Sequence, residues 1–230
     1  MLLADLRREV LDANVGLDRR GLVLYTFGNA SGISRKEGLV AIKPSGVPFD
    51  AMREEDMVLT DMDGRVVEGS WKPSTDLPTH LALYRAFSEI GGIVHTHSSL
   101  ATAWAQAGRE IPCFGTTHAD YFHGAIPVTE PLTPEEIAGS YEANTGAAIV
   151  RRFRGIGALD MPAVLVAGHA PFCWAASAGK AAETAVILEE VARLAWFTVV
   201  LNPAGGPISE ALLNKHFRRK HGPGAYYGQK

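Results

Sequence analysis

Gly92-Ile93-Val94-His95-Thr96-His97 is an apolar run that closes on two histidines, and it reads as a β-strand. Residues i and i+2 of a strand face the same way, so His95 and His97 project together, with Cα atoms roughly 6.5 Å apart. Two imidazoles at that separation can reach one ion through Zn–N bonds of about 2.0 Å. The same pattern also suits two half-buried histidines bonded to backbone carbonyls. A second apolar segment ends similarly: Val164-Leu165-Val166-Ala167-Gly168 runs into His169-Ala170-Pro171. Alone, His169 is an ordinary core or turn histidine. Beside His95 and His97 it supplies a third nitrogen at the end of a neighbouring strand. Three histidines, or three with a carboxylate, is the composition of a catalytic zinc site rather than a structural one. Asp76, in Lys72-Pro73-Ser74-Thr75-Asp76, could be that carboxylate; Ser-Thr-Asp ahead of a helix is equally an N-cap.

Around this strand the chain mixes short strands with helices. Leu6, Val10 and Leu11 have helical spacing in an opening segment, Asp5 to Val15. Strands are expected at Leu22–Phe27 and Leu39–Lys43, separated by a loop, Gly28-Asn29-Ala30-Ser31-Gly32. Asp63-Gly64 predicts a hairpin joining Met57–Asp61 to Arg65–Glu68. Helices are expected over Thr79–Phe87, from the capping box Thr133-Pro134-Glu135-Glu136 towards Phe153, over Ala178 to about Leu201, and over Pro207–Lys220. Ala163–Ala167 reads as a buried strand. Without regular βα alternation, the expected class is α/β of the α+β kind, helices packed against one sheet in one domain spanning residues 1–230.

The 230 residues are 47% hydrophobic, enough for a sizeable core. Against 25 acidic residues stand 22 basic ones, a net charge of −3, which gives no electrostatic case for nucleic acid or an anionic membrane. Two cysteines, Cys113 and Cys173, build no disulfide framework. Charges follow directly on Met1-Leu2-Leu3-Ala4, so no signal peptide is expected. Glu189, Glu190 and Arg193 interrupt the most apolar stretch, Ala185 to Leu201. A soluble, cytoplasmic protein is the expectation.

Small polar loops form a second feature. Gly28-Asn29, Lys43-Pro44-Ser45-Gly46 and Ser74-Thr75 offer backbone N–H groups, hydroxyls, an amide and one ammonium, the groups that hold a phosphate monoester. They are equally ordinary turns. No P-loop, G-x-G-x-x-G, G-x-S-x-G or H-E-x-x-H occurs. Thr116-Thr117-His118-Ala119-Asp120-Tyr121 and the tail from His221 to Gly228 are polar-aromatic clusters that read, by themselves, as a loop and a frayed terminus.

Taken in order, these segments resemble the L-ribulose-5-phosphate 4-epimerase group of the class II (zinc) aldolase–epimerase family. The resemblance rests on Gly28-Asn29, Ile42-Lys43-Pro44-Ser45-Gly46, Pro73-Ser74-Thr75-Asp76, Gly91 to His97, Thr116 to Phe122, His169-Ala170-Pro171-Phe172 and Arg219 to Gln229. It implies a divalent cation, zinc with manganese or cobalt as alternatives, on Asp76, His95, His97 and His169. It also implies a substrate-phosphate site at Gly28, Asn29, Ser45, Gly46, Ser74 and Thr75 with Lys43 beside it. Asp120 and Tyr227 match an acid–base pair that reaches the metal from the adjacent subunit, and His216 a supporting histidine. The implied fold is a central, mainly antiparallel sheet with helices on both sides, assembled as a homotetramer with sites at subunit interfaces. The implied substrate is a pentulose phosphate of carbohydrate metabolism, in arabinose catabolism.

Aldolase members of the family have a glutamate base where this chain has Asp76, and they lack the tail tyrosines, so the resemblance favours epimerase over lyase. The non-catalytic adducin head lacks the metal histidines. Thr75 stands in place of a serine, Ala167-Gly168 in place of a more polar pair, and Ala170 in place of a glycine. The chemistry follows from the substrate class. C4 of a 2-keto pentose phosphate lies β to the carbonyl and carries no acidic hydrogen. Inversion there therefore requires the C3–C4 bond to break and re-form, with proton transfer at O4 on each face.

Overall fold

A computed structural model describes residues 1–228, so Gln229 of the tail motif lies outside the described residues. The elements run α1 (Ala4–Arg19), β1 (Asn29–Ser34), β2 (Leu39–Ile42), β3 (Val58–Asp61), β4 (Val66–Glu68), α2 (Leu77–Ala86), β5 (Gly92–His95) and α3 (Ser99–Gln106). They continue α4 (Thr116–Ala119), α5 (Pro134–Ala138), α6 (Tyr141–Arg152), β6 (Ala163–Leu165), β7 (Pro171–Ala175), α7 (Ala178–Leu201) and α8 (Glu210–Lys220). Among the described residues the strands form a seven-stranded sheet, ordered β4-β3-β2-β1-β5-β7-β6, in which each neighbouring pair is antiparallel. No helix among them is long and apolar enough to cross a membrane.

Alternation along β1 distributes the helices. Gly32 faces α1 and α7: a Cβ there would stand 2.8 Å from Leu6 Cδ1 and 3.6 Å from the Ala178 methyl, so glycine lets both helices close on the sheet. Ser31 faces the other way, where its hydroxyl meets His80 Nδ1 at 2.7 Å and Tyr84 Oη at 2.8 Å on α2. Helices thus cover both faces, as the expected fold class requires. Because β1 is antiparallel to β2 and β5, and β5 to β7, one end of the sheet collects the start of β1, the ends of β2 and β5 and the start of β7.

Several local expectations are corrected. The strand lies at Asn29–Ser34, not Leu22–Phe27. Leu24, Tyr25 and Phe27 are exposed, and Tyr25 has left-handed backbone, φ 54°. Of the small residues expected to form a loop, Gly32 and Ala30 meet α1, whose Asn14 side chain bonds both the N–H and the carbonyl of Ala30. The helix from Thr133 breaks at Gly139–Ser140 into α5 and α6, the capping box intact at its start. Strand β7 and helices α3 and α4 are additions to the elements that the sequence pattern predicts. It is β7, not β6, that pairs with β5, and His169 lies in the turn between β6 and β7. The hairpin at Asp63-Gly64 and helix α7 stand where the sequence places them.

Candidate functional site

The register Asn29↔His95 sets the asparagine at the start of β1 beside the histidine that ends β5. Gly28, with φ 89°, turns the chain into β1 so closely that a Cβ would stand 2.8 Å from the His95 carbonyl oxygen. From β2 the chain runs into the Lys43–Gly46 loop. That loop is tied to residues 72–74 by Ser45 N–H donating to the Lys72 carbonyl and Ser74 N–H to the Lys43 carbonyl, each at 2.9 Å. The result is a cavity of about 380 Å³ lined by Gly28, Asn29, Lys43, Ser45, Gly46, Ser74, Thr75, Asp76, His95, His97 and His169. Every residue expected for metal or phosphate is therefore at one cavity.

His95, His97 and His169 form a cluster whose ligand atoms lie within 4.8 Å of one another. His95 Nδ1 is 2.9 Å from the Pro171 carbonyl, which can only accept, so this nitrogen carries the proton. The neutral ring then presents a bare Nε2, 3.1 Å from His97 Nε2. The Phe172 ring stacks on His95 at 4.2 Å. Burial holds the His95 pKa at about 3 and pushes those of His97 and His169 down as well. Neutral imidazoles, His95 with its Nε2 lone pair free, are the donor set a borderline divalent cation takes.

Asp76 stands outside that close cluster. Burial would raise its pKa, but nearby imidazoles and the Asn29 hydrogen bond outweigh burial and lower it. Its Oδ2 accepts from Asn29 Nδ2 at 2.6 Å, which holds the carboxylate on the asparagine side of the cavity. At the N-terminus of α2 it makes no side-chain capping bond, so capping does not account for it. Asn29 Nδ2 also donates to Ser74 Oγ at 3.0 Å, while its buried Oδ1 has no partner among the described residues. Lys43 is buried, donating to the Pro44 and Val47 carbonyls and lying over the Phe49 ring at 4.7 Å. Burial lowers its pKa to about 8. Gly168 has φ 70° and allows the tight turn carrying His169. Ala170 is fully buried and does not line the cavity.

Asp120, His216 and Tyr227 do not line this cavity; they gather around α4 and α8. Asp120 accepts from Arg219 through both oxygens, at 2.9 and 2.6 Å, and its Oδ1 lies 3.0 Å from His216 Nδ1. Lys220 Nζ stands 3.8 Å away. Burial would raise the Asp120 pKa, but the Arg219 and His216 hydrogen bonds and the Lys220 charge bring it below the usual carboxylate value. The exposed Tyr227 ring lies 4.9 Å from the Arg219 guanidinium carbon and 4.6 Å from Lys220 Nζ. Tyr141, Glu142, Thr26 and Phe27 also line the cavity. Nothing in the sequence pattern marks the first two, because the capping box predicts one uninterrupted helix through them.

Residues 8–196 match the family model described as Class II Aldolase and Adducin N-terminal domain. The chain is 55% identical over 225 residues, 98% of its length and 99% of the relative's, to L-ribulose-5-phosphate 4-epimerase UlaF of Salmonella paratyphi B. Among solved structures it resembles an L-fuculose 1-phosphate aldolase (TM-score 0.78, 27% identity, 92% of this chain and 94% of that one). An L-fuculose-1-phosphate aldolase from Thermus thermophilus shares the fold at TM-score 0.69 and 22% identity, covering 88% of this chain and 99% of its own.

Proposed function

Because this chain belongs to the class II aldolase and adducin N-terminal domain family, we propose that it is a metal-dependent epimerase, interconverting L-ribulose 5-phosphate and D-xylulose 5-phosphate. The observation that carries the proposal is the cavity itself. Three neutral imidazoles converge on one side, and the Ser45-Gly46 and Ser74-Thr75 loops line the same space. The 55% identical relative named L-ribulose-5-phosphate 4-epimerase supports the same substrate and reaction.

His95, His97 and His169 would hold the cation, zinc before manganese or cobalt, with Asp76 as its nearby carboxylate. A divalent cation held there supplies Lewis acidity toward the oxygens of the sugar. The Ser45, Gly46, Ser74 and Thr75 loops bind the substrate by its phosphate, the end that does not react. The unpartnered Oδ1 of Asn29 accepts from a sugar hydroxyl. The C3–C4 bond breaks with its electron pair passing to the C2 carbonyl, the glycolaldehyde phosphate half turns over while its phosphate stays bound, and the bond re-forms on the opposite face. Asp120 and Tyr227 take and return the proton at O4, one on each face. Both lie away from the cavity in their own chain, so a second copy supplies them, in a homotetramer of single-domain subunits. His216 fixes the Asp120 carboxylate. The setting is cytoplasmic arabinose catabolism.

Incubating the zinc-loaded protein with L-ribulose 5-phosphate tests this. The expected product is D-xylulose 5-phosphate, with the two fragments staying bound. Net release of glycolaldehyde phosphate and dihydroxyacetone, without xylulose 5-phosphate, would establish a lyase instead. The structural likeness to an L-fuculose 1-phosphate aldolase makes that the specific alternative.

A further inference from the structure

The three histidines are not equally supported. His95 ends a strand and is fixed by the Pro171 carbonyl and the Phe172 ring. His169 lies in a turn, where its N–H donates to the Val166 carbonyl at 3.0 Å. Among the described residues outside the cluster, Tyr141 brings a polar side chain to its ring: Oη stands 3.5 Å from His169 Nδ1 with the rings tilted by 47°.

The fold takes trouble to place that tyrosine. The break at Gly139–Ser140 makes Tyr141 the first residue of α6. Thr79 Oγ1 on α2 donates to the Glu142 carbonyl at 2.6 Å, fastening the start of α6 to the helix that follows Asp76. One turn further, Gly146 lets the helices touch: a Cβ there would stand 2.6 Å from the Ala82 methyl carbon. The α2–α6 pair thus carries Asp76 and Tyr141 together to the cavity.

Resting on the metal reading above, we infer that Tyr141 is a positioning residue for the metal centre, accepting the Nδ1–H of His169 and so turning His169 Nε2 toward the ion. A neutral imidazole has one donor and one acceptor nitrogen, and the partner of one decides which nitrogen ligates. The separation is at the outer limit of hydrogen bonding, and a few tenths of an ångström of side-chain movement make it ordinary. The phenol keeps its own O–H to donate into the cavity. If Tyr141 donated instead, the proton on His169 would sit on Nε2 and block ligation.

The test compares the wild-type protein with Tyr141→Phe by Zn²⁺ competition against a chromophoric chelator, the d–d spectrum of the Co²⁺ form and thermal unfolding of the metal-free form. Expected are a Zn²⁺ affinity about 10- to 100-fold weaker, an altered cobalt spectrum and an unchanged metal-free melting temperature. Wild-type affinity and an unaltered cobalt spectrum in Tyr141→Phe would overturn the assignment. Should the metal-free Phe variant melt early, Tyr141→Met carries the same expectation, and wild-type affinity in either variant is decisive against it. A wild-type protein that binds neither ion would overturn the metal reading and this inference with it, a result plainly distinct from one confined to the variants.

Discussion

The cavity at the sheet end draws its groups from strand ends and turns locked by backbone hydrogen bonds, whereas the Asp120 cluster depends on charged side chains reaching from α8 to α4. In the first, Asn29 and His95 are register partners and the loops of residues 43–46 and 72–74 are pinned to each other. In the second, Arg219, His216 and Lys220 converge on one carboxylate, and the tail carrying Tyr227 follows α8. A cavity built from backbone register is formed within one chain. The cluster on α8 instead holds Asp120 buried among ion pairs and leaves Tyr227 exposed. The two regions should therefore fail differently.

The largest effect is expected at the cavity. His97→Asn should abolish turnover and lower bound metal together, because a centre of three histidines loses a donor; full metal content by elemental analysis would count against ligation. In the other region Tyr227→Phe should retain metal and lose turnover by about 10²- to 10⁴-fold, the usual range for a general acid–base group. Wild-type turnover in that variant would remove Tyr227 from the chemistry. Together the two variants separate metal binding from proton transfer.

The regions also differ in how far the sequence shows them. The residues that line the cavity are legible because strand periodicity brings His95 and His97 together and because small polar loops have a recognisable composition. The strand that carries Asn29 was hidden for a physical reason. Ala30, Ser31 and Gly32 look like a loop by propensity, yet Gly32 packs closely under Leu6 and Val10 while Ser31 bonds His80 and Tyr84 on the other face, which suits them to a central strand. The apolar Leu22–Phe27 stretch, which looks like a strand, is partly exposed beside the cavity. Tyr141 was hidden by the helix break at Gly139. Asp120 carries no local signature, since His216 and Arg219 lie about a hundred residues further along the chain, and Tyr227 meets only its near neighbours Arg219 and Lys220 among the described residues; for both, a role follows from the resemblance to a family alone.

A smaller effect should sharpen the contrast in acid. The folded-state pKa of Asp120 is lowered, so its contribution is full above the unfolded value of about 3.9 and disappears as pH falls through the folded one. Hydrogen exchange of α8 amides should accelerate below about pH 4 while the central strands stay protected. Asp120→Asn should loosen α8 at neutral pH by about 2 kcal/mol, the scale of hydrogen bonds to a charged group, and remove that acid dependence. Equal acid sensitivity in wild type and variant would mean that α8 is held by something other than this carboxylate.

The smallest effect belongs to the cavity side, and its sign is opposite. Lys43 is buried against carbonyls and an aromatic face, with no carboxylate paired to it among the described residues, and burial lowers its pKa to about 8. The unfolded chain keeps the ordinary value of about 10.4. Between those two values the unfolded state binds more protons than the folded one, so this group makes stability rise with pH across the window. Below about pH 8 the lysine is charged in both states and the cost of burying the ammonium is present in full; above about pH 10.4 it is gone. Lys43→Met removes the titration, so the wild-type melting temperature should gain on the variant by a few degrees across the window, where about 1 kcal/mol moves Tm by roughly 2–4 °C for a chain this long. A constant difference between the two proteins from pH 7 to 10 would show that the ammonium is better solvated than its burial implies, and Lys43 would then be available to a substrate phosphate as an ordinary cation.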